Sequence, residues 1–256
     1  MIKNNNKWDP KDQILYLEEF LDLYNNRPIK DNTGGMKSAH MFNAWYVIKK
    51  LKPKYIIESG IWKGQGTWFF EKANPESHII CIDPMPQYRE ITIPKAQYIT
   101  NDFTVIDWAK SLDTSEALVF FDDHQSCINR IQHCVNQKFI HIMFEDNYPY
   151  DQGDCYSPKK ILSQKEYVID RGGDKSWFQP SLSDFETLQS SIETYQEMPP
   201  IFSDVKTRWG CDWLSKYETS NPLLSSDQTN EYELFYEERL DYTWICYIEL
   251  TQNAYR

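Results

Sequence analysis

Two groups of residues in this 256-residue chain have the types and spacing to do chemistry. The first is Gly60, Gly64 and Gly66, spaced GxxxGxG, with Glu58 just before them and Asp83 some way after. Glycines at this spacing let a backbone turn sharply and approach a ligand closely. Thr67 is expected to cap the next helix, whose first N–H groups favour an anionic group such as a carboxylate. Asp83 falls about 20 residues on, where an acid can take both hydroxyls of a ribose. The second group is Asp122-Asp123-His124 together with Glu145-Asp146-Asn147. Four carboxylates brought together beside an imidazole repel and raise one another's pKa. A hard divalent cation such as Mg²⁺, which prefers oxygen ligands, relieves that repulsion.

Both groups need strands that end at one crevice. Tyr55-Ile56-Ile57 is a short, apolar, β-rich run, as a buried parallel strand should be, and Ile79–Ile82 is a second. Strand, glycine turn, helix and strand form the first half of a nucleotide-binding βαβ unit. Gln97-Tyr98-Ile99-Thr100 reads as a third strand ending at Asn101-Asp102-Phe103, and Ala117–Phe121 as a fourth ending at Asp122. Gln125–Asn136 reads as a helix, and Phe139–Phe144 as a fifth strand ending at Glu145. In a doubly wound sheet these ends open onto one ligand crevice.

Two nucleotides suit the glycine pattern. Short-chain dehydrogenases use GxxxGxG, and Tyr156 with Lys160 matches their Tyr-x-x-x-Lys pair by letter, although Pro158 interrupts the helix that would present it. The stretch Glu58-Ser59-Gly60-Ile61-Trp62-Lys63-Gly64-Gln65-Gly66 more closely resembles the first motif of class I methyltransferases that use S-adenosylmethionine (SAM), (E/D)xGxxxGxG. That resemblance implies that Glu58 and Gly60 flank the methionine part of SAM, that Asp83 holds its ribose, and that Asp102 and Phe103 read the adenine. Together with the DDH and EDN clusters, the motif is similar to the metal-dependent cephalosporin-hydroxylase-like, macrocin and mycinamicin sugar O-methyltransferases. In that group an acid after the fourth strand and an acidic pair after the fifth hold a divalent metal, and a nearby His is the base. Carried over, the metal ligands are Asp122 or Asp123 with Glu145 and Asp146, and His124 is the base beside Asp122. The His stands closer to the first acid here than in those enzymes, which leaves open which aspartate binds. The resemblance covers residues 34 to 165.

The expectation is a Rossmann-like α/β fold: a mostly parallel doubly wound sheet, an antiparallel last strand, N-terminal helices, and an insertion or lid. Residues 1–52 are expected to be a helical extension, with one helix over Asp12–Tyr24 and another over Ala39–Leu51, the latter stopped by Pro53. Residues 53–256 are expected to be the SAM-binding domain, with an insertion at about 150–230, where Gly, Pro and Ser/Thr/Asn/Asp clusters dominate. Tyr148–Pro158 is expected to cover an acceptor, and Tyr242–Leu250 to be the last strand.

The expected function is transfer of a methyl group to a sugar hydroxyl in a free sugar, nucleotide sugar or glycan. A catechol or polyketide hydroxyl and an NAD(P) oxidoreductase are the alternatives, and a non-catalytic nucleotide-binding subunit is a further one. Trp62, Tyr148, Tyr150, Trp177, Trp209 and Trp213 fall in or after loops and could stack on sugar faces. A net charge of −11 argues against a nucleic-acid partner. Residues 1–13 are polar, with no export signal, and no apolar run reaches membrane-spanning length. Cys81, Cys127, Cys134, Cys155, Cys211 and Cys246 show no zinc spacing and read as reduced, mostly buried thiols of a cytoplasmic protein, which could be a homo-oligomer. Of the other histidines, His40 in the N-terminal helix could line the site or play no part in it, His141 is read as a packed or surface residue rather than a ligand, and His78 and His133 as surface ones.

Overall fold

The computed structural model describes residues 7–203, Thr207 and 216–251. Its centre is a seven-stranded sheet: β1 (Tyr55–Ser59), β2 (His78–Ile82), β3 (Gln97–Ile99), β4 (Ala117–Phe121), β5 (His141–Phe144), β8 (Ile192–Glu197) and β9 (Cys246–Leu250). The spatial order is β3-β2-β1-β4-β5-β9-β8. Strands β1 to β5 are parallel, and β9 runs antiparallel to both β5 and β8. This is the doubly wound, Rossmann-like sheet with an antiparallel last strand that the sequence leads one to expect.

Side-chain alternation along these strands divides the core into two layers. Ile56, Leu118, Phe120 and Met143 face one layer, built with helices α2 (Leu17–Asn25), α3 (Ser38–Leu51) and α4 (Gln65–Ala73). Ile57, Val119, Phe121, Ile142 and Phe144 face the other, built with α5 (Trp108–Ser111), α6 (Cys127–Asn136) and α8 (Leu182–Ser191). Every residue of β4 is buried, as a central strand covered on both faces must be.

The strand register sets up the site. Ser59 pairs with Phe121, and Phe121 with Phe144. The ladder runs one residue further: Gly60 N–H donates to Ile82 O, Asp83 N–H to Ile99 O, Asp122 N–H to Ser59 O and Glu145 N–H to Phe121 O. Asp83, Gly60, Asp122 and Glu145 therefore leave the sheet side by side. The strand order reverses between β1 and β4, the place where doubly wound sheets bind ligands.

Several elements differ from expectation. The single helix over Asp12–Tyr24 is two, α1 (Pro10–Ile14) and α2, broken at Leu15-Tyr16. The region expected as an insertion holds α7 (Pro158–Ser163), a separate hairpin of β6 (Tyr167–Arg171) and β7 (Asp174–Phe178), and α8, but also β8, which is an integral strand of the main sheet. Strand β8 escapes a hydrophobicity reading because Thr194 and Gln196 are among its inward-facing residues. Buried Gln196 is satisfied by the backbone N–H and C=O of Trp8, which ties the chain's start to this edge. No helix among the described residues is long and apolar enough to cross a membrane.

Candidate functional site

The glycine loop is shaped by crowding. Gly60 has φ +92°, and a Cβ there would stand 2.0 Å from the Asp122 carbonyl oxygen. Gly64, also at φ +92°, is the N-cap of α4, and no side chain caps that helix. Its first N–H groups thus stay available to an anionic ligand. Thr67 is not the cap: it lies inside α4 and its hydroxyl donates to Glu58. Glu58 is 1% exposed, beneath the loop, and burial pushes its carboxyl up to about 8. Asp83 accepts the N–H groups of Ile61 and Trp62 on one oxygen, at 3.0 and 3.1 Å, and that of Met85 on the other at 2.7 Å. It thus fixes the loop, and its oxygen facing Met85 still has a lone pair for a ribose hydroxyl.

Asp102 and Phe103 depart from expectation. Phe103 is wholly buried, packed on Trp108, Phe121 and Phe139, so it presents no face to an adenine. Asp102 accepts two hydrogen bonds from the Arg130 guanidinium, at 2.9 and 2.8 Å, which holds its carboxyl well below the usual range. Arg130 reaches Asp123 as well, at 2.8 Å, and Asp123 also accepts from Ser59 Oγ at 2.7 Å. Arg130 carries no sequence motif that would single it out.

The tandem aspartates therefore separate. Asp123 turns to Arg130, while Asp122 turns to Asp146 and His124, and one ligand atom from each of these three lies within 4.8 Å of the others. Asp146 is 6% exposed, and its carboxylate faces Asp122 with His124 Nδ1 3.4 Å away. Burial, then the charge of Glu145, raises both Asp122 and Asp146 well above the ordinary range. His124 adopts φ +53° and sets Nδ1 3.4 Å from Asp146 and 3.1 Å from Asp154. Asp154, with Asp146 behind it, pushes the imidazole up to about 10. Asp154 sits in the loop after Asn147, and nothing in its sequence context marks it. Glu145 pairs instead with His40, which the sequence left open as either a site-lining or a bland residue of the N-terminal helix.

Asp122, His124, Glu145 and Asp146 line a cavity of about 190 Å³. Gly34–Lys37 closes one side, and Tyr148, Asp241 and Thr243 another. A buried carboxylate beside a second acid and an imidazole is a donor set that suits a hard divalent cation, so the residues fit the metal expected from sequence. They fit a nucleotide at the glycine loop, the open start of α4 and Asp83, but not at Phe103. A larger cavity, about 510 Å³, lies along β2 and β3 and contains neither acid cluster.

The dehydrogenase pair does not assemble. Pro158 occupies the first turn of α7, so Tyr156 precedes the helix, where its ring stacks on Tyr167. Lys160 Nζ is buried and donates to the carbonyls of Gly153, Cys155 and Val168, which uses all three of its N–H groups. Of the expected aromatics, Tyr148 lines the cavity, Trp62 packs at a tilt against Tyr88 while donating to Thr33 O, and Trp177 is exposed on the hairpin. Trp209, Trp213 and Cys211 lie outside the described residues. The five described cysteines are buried and free.

No family model matches the chain, and no curated protein does. Among solved structures it is similar to an SAH-bound methyltransferase from Podospora anserina, at 13% identity and a TM-score of 0.36, over 53% of this chain and 62% of that one. A methyltransferase from Geobacter sulfurreducens matches at 13% identity and a TM-score of 0.34, over 68% of this chain and 90% of that one. An O-methyltransferase from Bacillus cereus in complex with SAH matches at 11% identity and 0.34, over 55% and 74%.

Proposed function

We propose that the chain is a SAM-dependent, divalent-metal-dependent O-methyltransferase acting on a sugar hydroxyl. The observation that carries this reading is the buried Asp146 carboxylate, facing Asp122 and His124 beside the glycine loop. A binding module has no use for such a cluster. The cavity is small and acidic, which suits a neutral polyol better than a phosphorylated acceptor. A catechol offers the same pair of vicinal hydroxyls, and an acceptor screen separates the two. We assign the activity to the cytoplasm, in keeping with five buried free thiols.

SAM supplies an electrophilic methyl group, and attack on it is an in-line displacement. A divalent cation held by Asp122 and Asp146, with Glu145 beside them, would neutralise these acids and lower the pKa of a coordinated hydroxyl. The protein's own work is orientation and proton removal. Asp122 and Asp146 fix the acceptor end, and the glycine loop with Asp83 fixes the cofactor end. His124, oriented through Nδ1 by Asp154, is the group placed to take the acceptor's proton, and the pull of Asp154 and Asp146 on the imidazole sets that step towards alkaline pH. Asp123 belongs to Arg130 in this scheme.

Titration calorimetry with S-adenosylhomocysteine, with and without Mg²⁺ and with NAD as control, tests the cofactor. Micromolar binding of the first and none of NAD is the expected outcome, and the reverse overturns the reading. Asp146→Ala should lower metal-dependent turnover by about 100-fold or more while sparing S-adenosylhomocysteine affinity. Full activity of that variant in EDTA would remove the metal from the scheme.

A further inference from the structure

His40 is 2% exposed, at the start of α3, and it is bonded on both ring nitrogens. The backbone N–H of Thr243 donates to Nε2 at 2.8 Å. A peptide N–H only donates, so Nε2 must accept, and the ring's proton resides on Nδ1. That proton points at Glu145 Oε1. The tautomer is thus assigned by a contact on the far side of the ring, the arrangement by which proteins set which nitrogen of a histidine does its work. Glu145 needs such a restraint. Its backbone is fixed by the bond to Phe121, but its carboxylate stands beside Asp146 and Asp122, and their repulsion would swing it away.

We infer that His40 is a positioning residue: by donating from Nδ1 it holds the Glu145 carboxylate in the cavity as a third acid facing the cation, alongside Asp122 and Asp146. This rests on the divalent-cation reading above. It brings the N-terminal helix α3 and the segment leading into β9 into the working of a site otherwise built from the ends of β4 and β5.

Two substitutions separate positioning from packing. In His40→Asn the side-chain amide reaches the place of Nδ1 and can still donate to Glu145, but it cannot reach Thr243. In His40→Gln the amide reaches the place of Nε2 and can accept from Thr243, but the donor to Glu145 is lost. Mn²⁺ affinity, read by electron paramagnetic resonance on the full chain without cofactor, is the measurement, with Tm and S-adenosylhomocysteine affinity as controls. His40→Gln should weaken Mn²⁺ by about 10–100-fold, and His40→Asn should stay within about threefold of wild type. Wild-type Mn²⁺ affinity in His40→Gln, or weakening by His40→Asn instead, overturns the inference. Glu145→Gln leaves the His40–Thr243 contact intact and must weaken Mn²⁺ to the same degree. Unchanged affinity there overturns the inference without any change at His40. A wild-type chain that binds no Mn²⁺ overturns the cation reading itself, and is told apart because it requires no variant.

Discussion

Asp122 and Asp123 are adjacent and chemically identical, yet their surroundings give them opposite work. Asp123 has the Arg130 guanidinium at 2.8 Å and the Ser59 hydroxyl at 2.7 Å, so its charge is matched. Asp122 faces Glu145 and Asp146, so its charge is opposed. Removing each charge should therefore act in opposite directions. Asp122→Asn is expected to weaken Mn²⁺ by about 10–100-fold, and to leave Tm unchanged or raised, because it relieves repulsion among buried acids. Asp123→Asn is expected to keep Mn²⁺ affinity within about threefold, and to cost about 1 kcal/mol of stability through the lost charge-assisted bond. Paired Mn²⁺ titrations and thermal melts read both. The DDH motif by itself leaves the two aspartates equivalent; the arginine one turn into α6 distinguishes them.

At the scale of elements, the nucleotide loop and the acidic cluster are mechanically joined at Gly60. A Cβ at that position would meet the carbonyl of Asp122, the residue that opens the acidic cluster. Gly60→Ala is expected to cost about 2–4 kcal/mol, from the left-handed backbone and the clash together. It should also weaken Mn²⁺ and S-adenosylhomocysteine binding together, since the end of β4 must shift to admit it. Gly172→Ala in the β6–β7 turn is the control. Its φ of +68° carries strain, but no atom lies within 4 Å, so about 1 kcal/mol is expected with no effect on either ligand. A chemical melt and two titrations on each variant decide whether the loop and the acids move as one.

At the scale of the whole molecule, the N-terminal helices are part of the core. Phe20 of α2 is wholly buried, and its ring meets Tyr24, Phe42, Trp45 and Phe69, together with Phe235 from the far end of the chain. His40 makes the same connection at the site, between α3, Glu145 and Thr243. Phe20→Ala should accordingly cost about 3–5 kcal/mol, and unfolding should stay a single transition in which far-ultraviolet circular dichroism and tryptophan fluorescence coincide. Separate transitions would mean that residues 7–51 fold as an independent unit.

The chain's own pattern determined the parallel strands, the glycine turn and the placing of acids at strand ends. Tyr55–Ser59, Ala117–Phe121 and His141–Phe144 are rich in apolar residues because a parallel sheet is covered on both faces, and the chain turns polar where such a strand reaches the open crevice. Tertiary structure decided what pairwise geometry alone can decide. It withdrew Asp123 to Arg130, sank Phe103 into the core, moved Thr67 from cap to partner of Glu58, set Asp154 against His124, and gave His40 to Glu145. It also recruited β8 into the sheet, where Gln196 is buried because Trp8, 188 residues away in sequence, satisfies it. Strand periodicity is local and is written in neighbouring residues. A carboxylate's role depends on which donor stands about 3 Å from it, and that donor comes from elsewhere in the chain.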